Sequence, residues 1–145
     1  MKAMNEVDIN EINRDVIAQF RASGGRVKTG RFGGSELLLL TIKGRKTGRL
    51  RVNPVMYLRD GDRYIVFASK AGSRNHPDWY RNLMANPDVT VEVGPEKFEA
   101  RAIVTTGEER QRIWEASVRE KPFLADHQAR AATREIPVIA LERKG

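Results

Sequence analysis

A chain of 145 residues, 40% hydrophobic and 31% charged, fits one globular domain with a sizeable core. The absence of cysteine excludes disulfide scaffolds, cysteine-ligated metals and thiol catalysis, and the longest apolar run, Leu37–Leu40, is too short to span a bilayer. A net charge of +7 and a pI near 10 call for a polyanion: nucleic acid, anionic lipid, or a phosphorylated, carboxylate-rich cofactor.

The first element is a helix from about Ile9 to Ala22, with Ile9, Ile12, Val16, Ile17 and Phe20 at helical spacing. Asp8 is its expected N-cap and Gly24-Gly25 its stop. Glu11, Arg14, Asp15 and Arg21 mix charges on the outward face, which favours packing on the domain over a membrane surface. Residues 1–25 thus form a helical segment of a single domain covering residues 1–145. Met1-Lys-Ala-Met-Asn-Glu6 has no apolar secretion segment, so a cytoplasmic protein is expected.

Glu36–Ile42 reads as a central strand. It runs into Lys43-Gly-Arg-Lys-Thr-Gly-Arg-Leu-Arg51, where five cations fall within nine positions. Gly44 and Gly48 let the backbone turn and present N–H groups; Arg45, Lys46, Arg49 and Arg51 add charge and Thr47 a hydroxyl donor. Such donors make an anion site, though the segment alone reads equally well as a solvated hairpin tip. The spacing is not that of a Walker A loop.

Arg51–Arg59 and Arg63–Ser69 flank Asp60-Gly61 as a hairpin, with Pro54 confined to an edge, bulge or strand end. A helix follows over Pro77–Ala85. Val89–Val93 and Lys97–Thr105 pair around Gly94-Pro95. Thr106 and Glu109 form a capping box for a helix to Arg119, Pro122–Thr133 is helical, and Ile136–Leu141 closes the sheet. The class is α+β: a small barrel of about six mostly antiparallel strands with peripheral helices.

A second site is predicted in Ala68–Asn82, where a strand end, Lys70, turn amides and a helix N-terminus offer donors to an anion. Trp79 and Tyr80 supply a flat wall or core packing, and Asn82 by itself reads as a helix-surface residue. Catalytic side chains are scarce. The two histidines, His76 and His127, make no zinc cage, no serine has a nucleophile-elbow context, and Glu108-Glu109 are first-turn helix charges. Hydride transfer needs little side-chain chemistry beyond holding a cofactor, and these two loops suit that task.

Leu37-Leu-Leu-Leu-Thr-Ile-Lys-Gly-Arg-Lys-Thr-Gly-Arg-Leu-Arg-Val-Asn-Pro54 resembles the deazaflavin (coenzyme F420)-dependent nitroreductase and quinone reductase family. Tyr57-Leu-Arg-Asp-Gly61, Ala68-Ser-Lys-Ala-Gly72, Pro77-Asp-Trp-Tyr-Arg-Asn-Leu83, Asn86-Pro87 and Arg134-Glu-Ile-Pro-Val138 follow in the same order. The resemblance implies a split β-barrel binding F420, an 8-hydroxy-5-deazaflavin with a phosphate and a polyglutamate tail. It puts Arg45, Lys46 and Thr47 at the phosphate or tail. Arg51, Val52, Asn53, Pro54, Val55 and Met56 would line the deazaflavin. Ala68, Ser69 and Lys70 would meet the ring edge or phosphate, and Asp78, Trp79, Tyr80 and Asn82 would complete the cradle. Family members that reduce quinones and nitroimidazoles carry tyrosines where this chain reads Lys121-Pro-Phe-Leu-Ala-Asp-His-Gln128. Phe123, Leu124 and His127 are therefore the expected substrate side.

The function expected is hydride transfer from reduced F420 to an electron-poor small molecule: a quinone, enone or nitro compound. His127 or solvent supplies the completing proton. One alternative is a reductase using flavin mononucleotide. The other is a non-catalytic cofactor, lipid or nucleic-acid binding protein, for which no nucleic-acid motif is present. A homodimer is expected by analogy, and membrane-surface association is not favoured.

Overall fold

In the computed structural model, residues 2–25 and 36–145 are described, with side chains from Asn13 onward in the first helix. Six strands form a closed barrel. The strands are β1 (Leu37–Lys43), β2 (Leu50–Asp60), β3 (Arg63–Phe67), β4 (Asp88–Val93), β5 (Glu96–Val104) and β6 (Val138–Arg143). Their order around the barrel is β1-β2-β3-β6-β5-β4, with β4 returning to β1. Strands β1, β3 and β6 are buried in continuous runs, while β4 and much of β5 alternate. Every pairing is antiparallel, as the hairpin spacing predicts.

The period of two sorts the side chains. Leu38, Leu40 and Ile42 face Val55, Val66, Val91, Ile139 and Leu141 inside the barrel. Leu37 and Leu39 point outward and are covered by Val16 and Phe20 of helix α1 (Lys2–Ser23). On the other side, Ile65, Phe67, Val138 and Ala140 are covered by Ile113 of α3 (Gly107–Glu120) and Leu124 of α4 (Phe123–Ala131). Helix α2 (Asp78–Ala85) lays Leu83 and Trp79 against the interior cluster and stops one end of the barrel. No described helix is long and apolar enough to cross a membrane.

Several expectations shift. Helix α1 already runs from Lys2, so Asp8 lies within it rather than capping it, whereas the chain does leave the helix at Gly24. The side chains of Ile9, Glu11 and Ile12 lie outside the described set. The Thr106–Glu109 capping box is not formed. Thr106 sits at the N-cap without a side-chain bond, and Glu109 instead accepts from Arg63 Nη2 at 3.2 Å. The closing strand starts at Val138 because Ile136 spends its backbone elsewhere, its N–H on Gln128 Oε1 and its carbonyl on Arg110. Pro54 is opposite Leu39 in a stretch of β2 that has β1 alone as neighbour, since pairing with β3 begins at Tyr57. A proline is tolerated there for that reason.

The far end of the β2–β3 hairpin is tied to α3 by charge. Asp60 accepts from Arg63 Nη2 (2.8 Å) and from both terminal nitrogens of Arg112 (3.0 and 3.2 Å). The Arg112 and Arg63 hydrogen bonds hold the Asp60 carboxyl down at about 2, against an ordinary 3.8. A depressed carboxyl stabilises the fold above its unfolded pKa and loses that contribution as pH falls through the folded value. Asp60→Asn should therefore cost about 1 kcal/mol at pH 7, with the difference from wild type closing between about pH 4 and 2 in denaturant melts.

Candidate functional site

The last pair of the β1–β2 ladder is Lys43 opposite Leu50, and the cationic segment forms the turn between them. Gly44 N–H donates to the Arg49 carbonyl (2.8 Å), Gly48 N–H to the Gly44 carbonyl (3.0 Å), and Arg49 N–H to Thr47 Oγ1 (3.2 Å). A Cβ on buried Gly44 would lie 3.2 Å from the Arg49 carbonyl oxygen and 3.3 Å from Thr47 Oγ1. Only a glycine lets the turn close this tightly without moving its neighbours.

Helix α2 fixes the turn from below. Asn82, only 6% exposed, accepts at Oδ1 from both the Arg45 backbone N–H (3.1 Å) and the Arg45 guanidinium (2.7 Å). Asn86 donates to the Lys43 carbonyl at 3.2 Å. Read as a helix-surface residue, Asn82 is in fact a buried strut. Its carbonyl is committed to the fold before any ligand arrives.

A cavity of about 270 Å³ opens between the turn, the start of β2 and the amino end of α2. Arg45, Lys46, Thr47, Arg51, Asn53, Asp78, Trp79 and Asn82 line it, all of them sequence-predicted; Gly44 is the addition. Strand alternation aims Arg51 and Asn53 to the side of their partners Ile42 and Leu40. Asn53 is steadied by donating to the Leu40 and Arg51 carbonyls, both at 3.2 Å. Asp78 and Trp79 belong to the first turn of α2, whose N–H groups carry positive partial charge. Among the described residues Lys46 and Arg51 have no acidic partner, and Asp78, 3.9 Å from Arg45, is the lone acid in the lining. The net field favours an anion.

The other predicted residues lie elsewhere. Val52 and Met56 pack beneath α1, and Tyr80 rests on the barrel end with its ring 4.7 Å from that of His76. Pro54 is buried, while Val55 and Ala68 turn their side chains into the barrel core, so these three cannot offer side chains to a ligand. Ser69 and Lys70 sit on the adjacent turn, outside the cavity. Leu124 is fully buried among Ile113, Ala131 and Ile136, which removes it from the substrate side. Phe123 and His127 do lie together on α4, rings 5.2 Å apart, with Phe123 reaching the surface. Burial and nearby Arg130 push the His127 imidazole below its usual 6.5, against a smaller opposing pull from Asp126. Its Nδ1 is buried without a partner. Sequence reasoning also missed Arg134, which holds the Ala68–Ser73 turn; the signal was the Arg134–Val138 motif.

A larger hollow of about 630 Å³ lies at the opposite end of the barrel, around Tyr64 and Phe98. Its cations are already engaged: Arg143 with Glu96, Arg63 with Asp60, Glu109 and Glu142, and Lys144 with Asp88. Arg59 lies over the Tyr64 ring. The smaller cavity therefore has the stronger pull on an anion.

A family model described as F420H(2)-dependent quinone reductase matches residues 12–143. The chain belongs to that family. It is thereby an oxidoreductase, and the broader nitroreductase resemblance narrows to the quinone reductase branch. An F420H(2)-dependent quinone reductase of Mycobacterium tuberculosis is 36% identical over 130 residues, covering 88% of this chain and 87% of the relative. A solved F420-H2 dependent reductase (FDR-A) shares 36% identity at a TM-score of 0.67, covering 73% of this chain and 93% of its own. A second solved structure, described as a domain-swapped dimer, is 30% identical with a TM-score of 0.69 and covers 97% of this chain and 99% of its own. The heme storage protein HutZ of Vibrio cholerae, 18% identical at a TM-score of 0.57 over 89% of this chain and 88% of its own, shares the fold alone.

For this member of the family, Asn82 separates stability from ligand charge. Asn82→Ala should lower stability by about 1–2 kcal/mol in thermal or urea melts, since it removes the acceptor that two Arg45 donors share in a part-buried site. Asn82→Asp keeps an acceptor for Arg45 and should melt near wild type, yet bind inorganic phosphate more weakly because it adds negative charge to the cavity.

Proposed function

We propose that the protein is a reductase that holds the phosphate and tail of reduced F420 in the rim cavity and passes hydride to a quinone-class acceptor. The observation that carries this reading is the convergence of Lys46, Arg51 and the α2 amino end on one cavity, with neither cation paired to an acid among the described residues. The names of the relatives agree with it. They lend no support to flavin mononucleotide, whose single phosphate leaves the surplus charge unexplained.

The residues present fit the cofactor's anionic end. Lys46 and Arg51 bring charge, Thr47 a hydroxyl, and α2 its first N–H groups, while Asn53 and Trp79 form the polar and flat walls. A volume of about 270 Å³ is below the roughly 300–1,000 Å³ typical of whole-ligand sites, so the cavity takes the phosphate end and leaves the tricyclic ring outside. When bound, the reduced deazaflavin supplies hydride from its C5 carbon. The chain contributes position and charge. Exposed Phe123 offers an apolar face to an acceptor. Burial and Arg130 push the His127 pKa down, which lowers the share of proton-bearing imidazolium able to act as donor, so the completing proton is assigned to solvent. The domain-swapped relative makes a homodimer part of the same proposal.

Titrating the protein with F420 and with flavin mononucleotide tests the reading. F420 should bind more tightly, and its affinity should fall as salt rises. Equal affinities, or binding indifferent to salt, would leave the cationic cavity without its assigned role and favour a plain flavin or carrier function.

Lys46→Ala should weaken F420 binding by about 1–3 kcal/mol with little change in turnover at saturating cofactor. A large fall in turnover at unchanged affinity would move Lys46 to the reacting end. His127→Phe should leave turnover at pH 7 within about twofold and the profile between about pH 5 and 8 unaltered. A flattened profile would instead make His127 the proton donor.

A further inference from the structure

Between β3 and α2 the backbone adopts a conformation that two of its residues disfavour. Lys70 and Ala71 are left-handed, at φ 47° and 52°, and Gly72 follows at 82°. A Cβ-bearing residue enters this region at a cost in free energy, and two in succession persist only where the surroundings impose them. Gly72 is pressed against α4, where a Cβ would lie 2.6 Å from the His127 carbonyl oxygen and 2.7 Å from Arg130 Cβ. This backs the turn from one side.

From the other side a single guanidinium gathers its carbonyls. Arg134 donates from Nη1 to the Ala68 carbonyl (3.0 Å), from Nη2 to those of Ser69 (2.7 Å) and Ser73 (2.6 Å), and from Nε to Ser73 again (2.9 Å). Nη1 also lies 3.0 Å from His76 Nδ1, which accepts from it. Burial first, then Arg134 and Arg81, keeps His76 below its usual pKa and thus supplied with that lone pair. No carboxylate among the described residues pairs with Arg134. Four of its five N–H groups are spent on the shape of one turn and the fifth on His76, and at the tip of that turn Lys70 stands exposed without an acidic partner among the described residues. A lysine cannot replace this fork, because an ammonium is a point charge and lacks the planar spread of donors.

We infer that Arg134 is a positioning residue: it imposes the left-handed turn at Lys70–Ala71 and so presents Ser69 and Lys70 to the anionic cofactor. The inference rests on the proposed F420 reading for what the turn meets, but not for the clamp itself.

Two measurements on the full chain test it, one without cofactor. Hydrogen exchange of the Gly72 and Ser73 amides, which donate to Ser69 and Lys70 carbonyls at 2.9 and 3.0 Å, should accelerate at least roughly tenfold in Arg134→Ala. F420 affinity should fall by a similar factor, and millimolar guanidinium, unlike methylammonium, should restore both. Arg134→Lys, which keeps charge and stem, should show the same losses and serves if Arg134→Ala does not fold. Lys70→Ala should weaken F420 binding while leaving amide exchange at wild-type rates. Wild-type exchange in the Arg134 variants overturns the inference. Accelerated exchange with normal F420 affinity in both Arg134 variants and in Lys70→Ala would mean that the clamp is real but the turn does not meet the cofactor, which overturns the presenting role.

Discussion

Closing six strands into a ring leaves an interior wide enough for side chains and nothing more. Leu38, Leu40, Ile42, Val66, Val91, Ile139 and Leu141 fill it with no measurable exposure. A barrel of this size has no lumen to lend to a ligand. Chemistry is displaced to the ends of the strands, where turns can change without disturbing the ladder. One end is stopped by α2, and the groups not needed to seal it converge on the cavity beside it. The other end gathers charges that neutralise one another.

The basic surplus divides accordingly. Some arginines are structural: Arg63 and Arg112 fasten a hairpin to α3, Arg110 donates to the Ile136 carbonyl, and Arg45 leans on Asn82. Arg134 belongs with them. The cations left for an external anion, Lys46, Arg51 and Lys70, have no acidic partner among the described residues: buried Asn82 braces the turn that carries Lys46, strand β2 carries Arg51, and Arg134 fixes the turn that carries Lys70. Guanidinium groups suit the first task because they satisfy several acceptors at once, and lysines suit the second because a flexible point charge adapts to its ligand.

The strands were legible in the sequence because their apolar alternation and turn dipeptides are local signals. The charged turn was legible as a cluster of donors for the same reason, since they lie within nine consecutive positions. What stayed hidden depends on contacts distant in sequence. The burial of Leu124, the strut formed by Asn82 with Arg45, and the Arg134 bonds to residues more than fifty positions earlier leave no periodic trace. Glu109 matched a capping box in sequence, but Arg63, which competes for its carboxylate, comes from another element. The resemblance to a cofactor-binding family gave consecutive residues of β2 without telling inward from outward side chains. There Asn53 and Val55 share the inward face, one at the cavity and the other in the core, while Val52 and Met56 point the opposite way and pack beneath α1.

Where β2 runs past the end of β3, the residues around Pro54 have β1 as their one strand neighbour among the described residues. Exposed edges are templates on which a second chain can add as a further strand and seed aggregation. Proline lacks the N–H that such an addition would use, and α1 shields the apolar face of the same stretch through Val52 and Met56. The overhang that carries Arg51 and Asn53 to the cavity is thereby kept from recruiting neighbours. A residue that looks like a defect in a strand thus acts as a guard on the chain's colloidal behaviour.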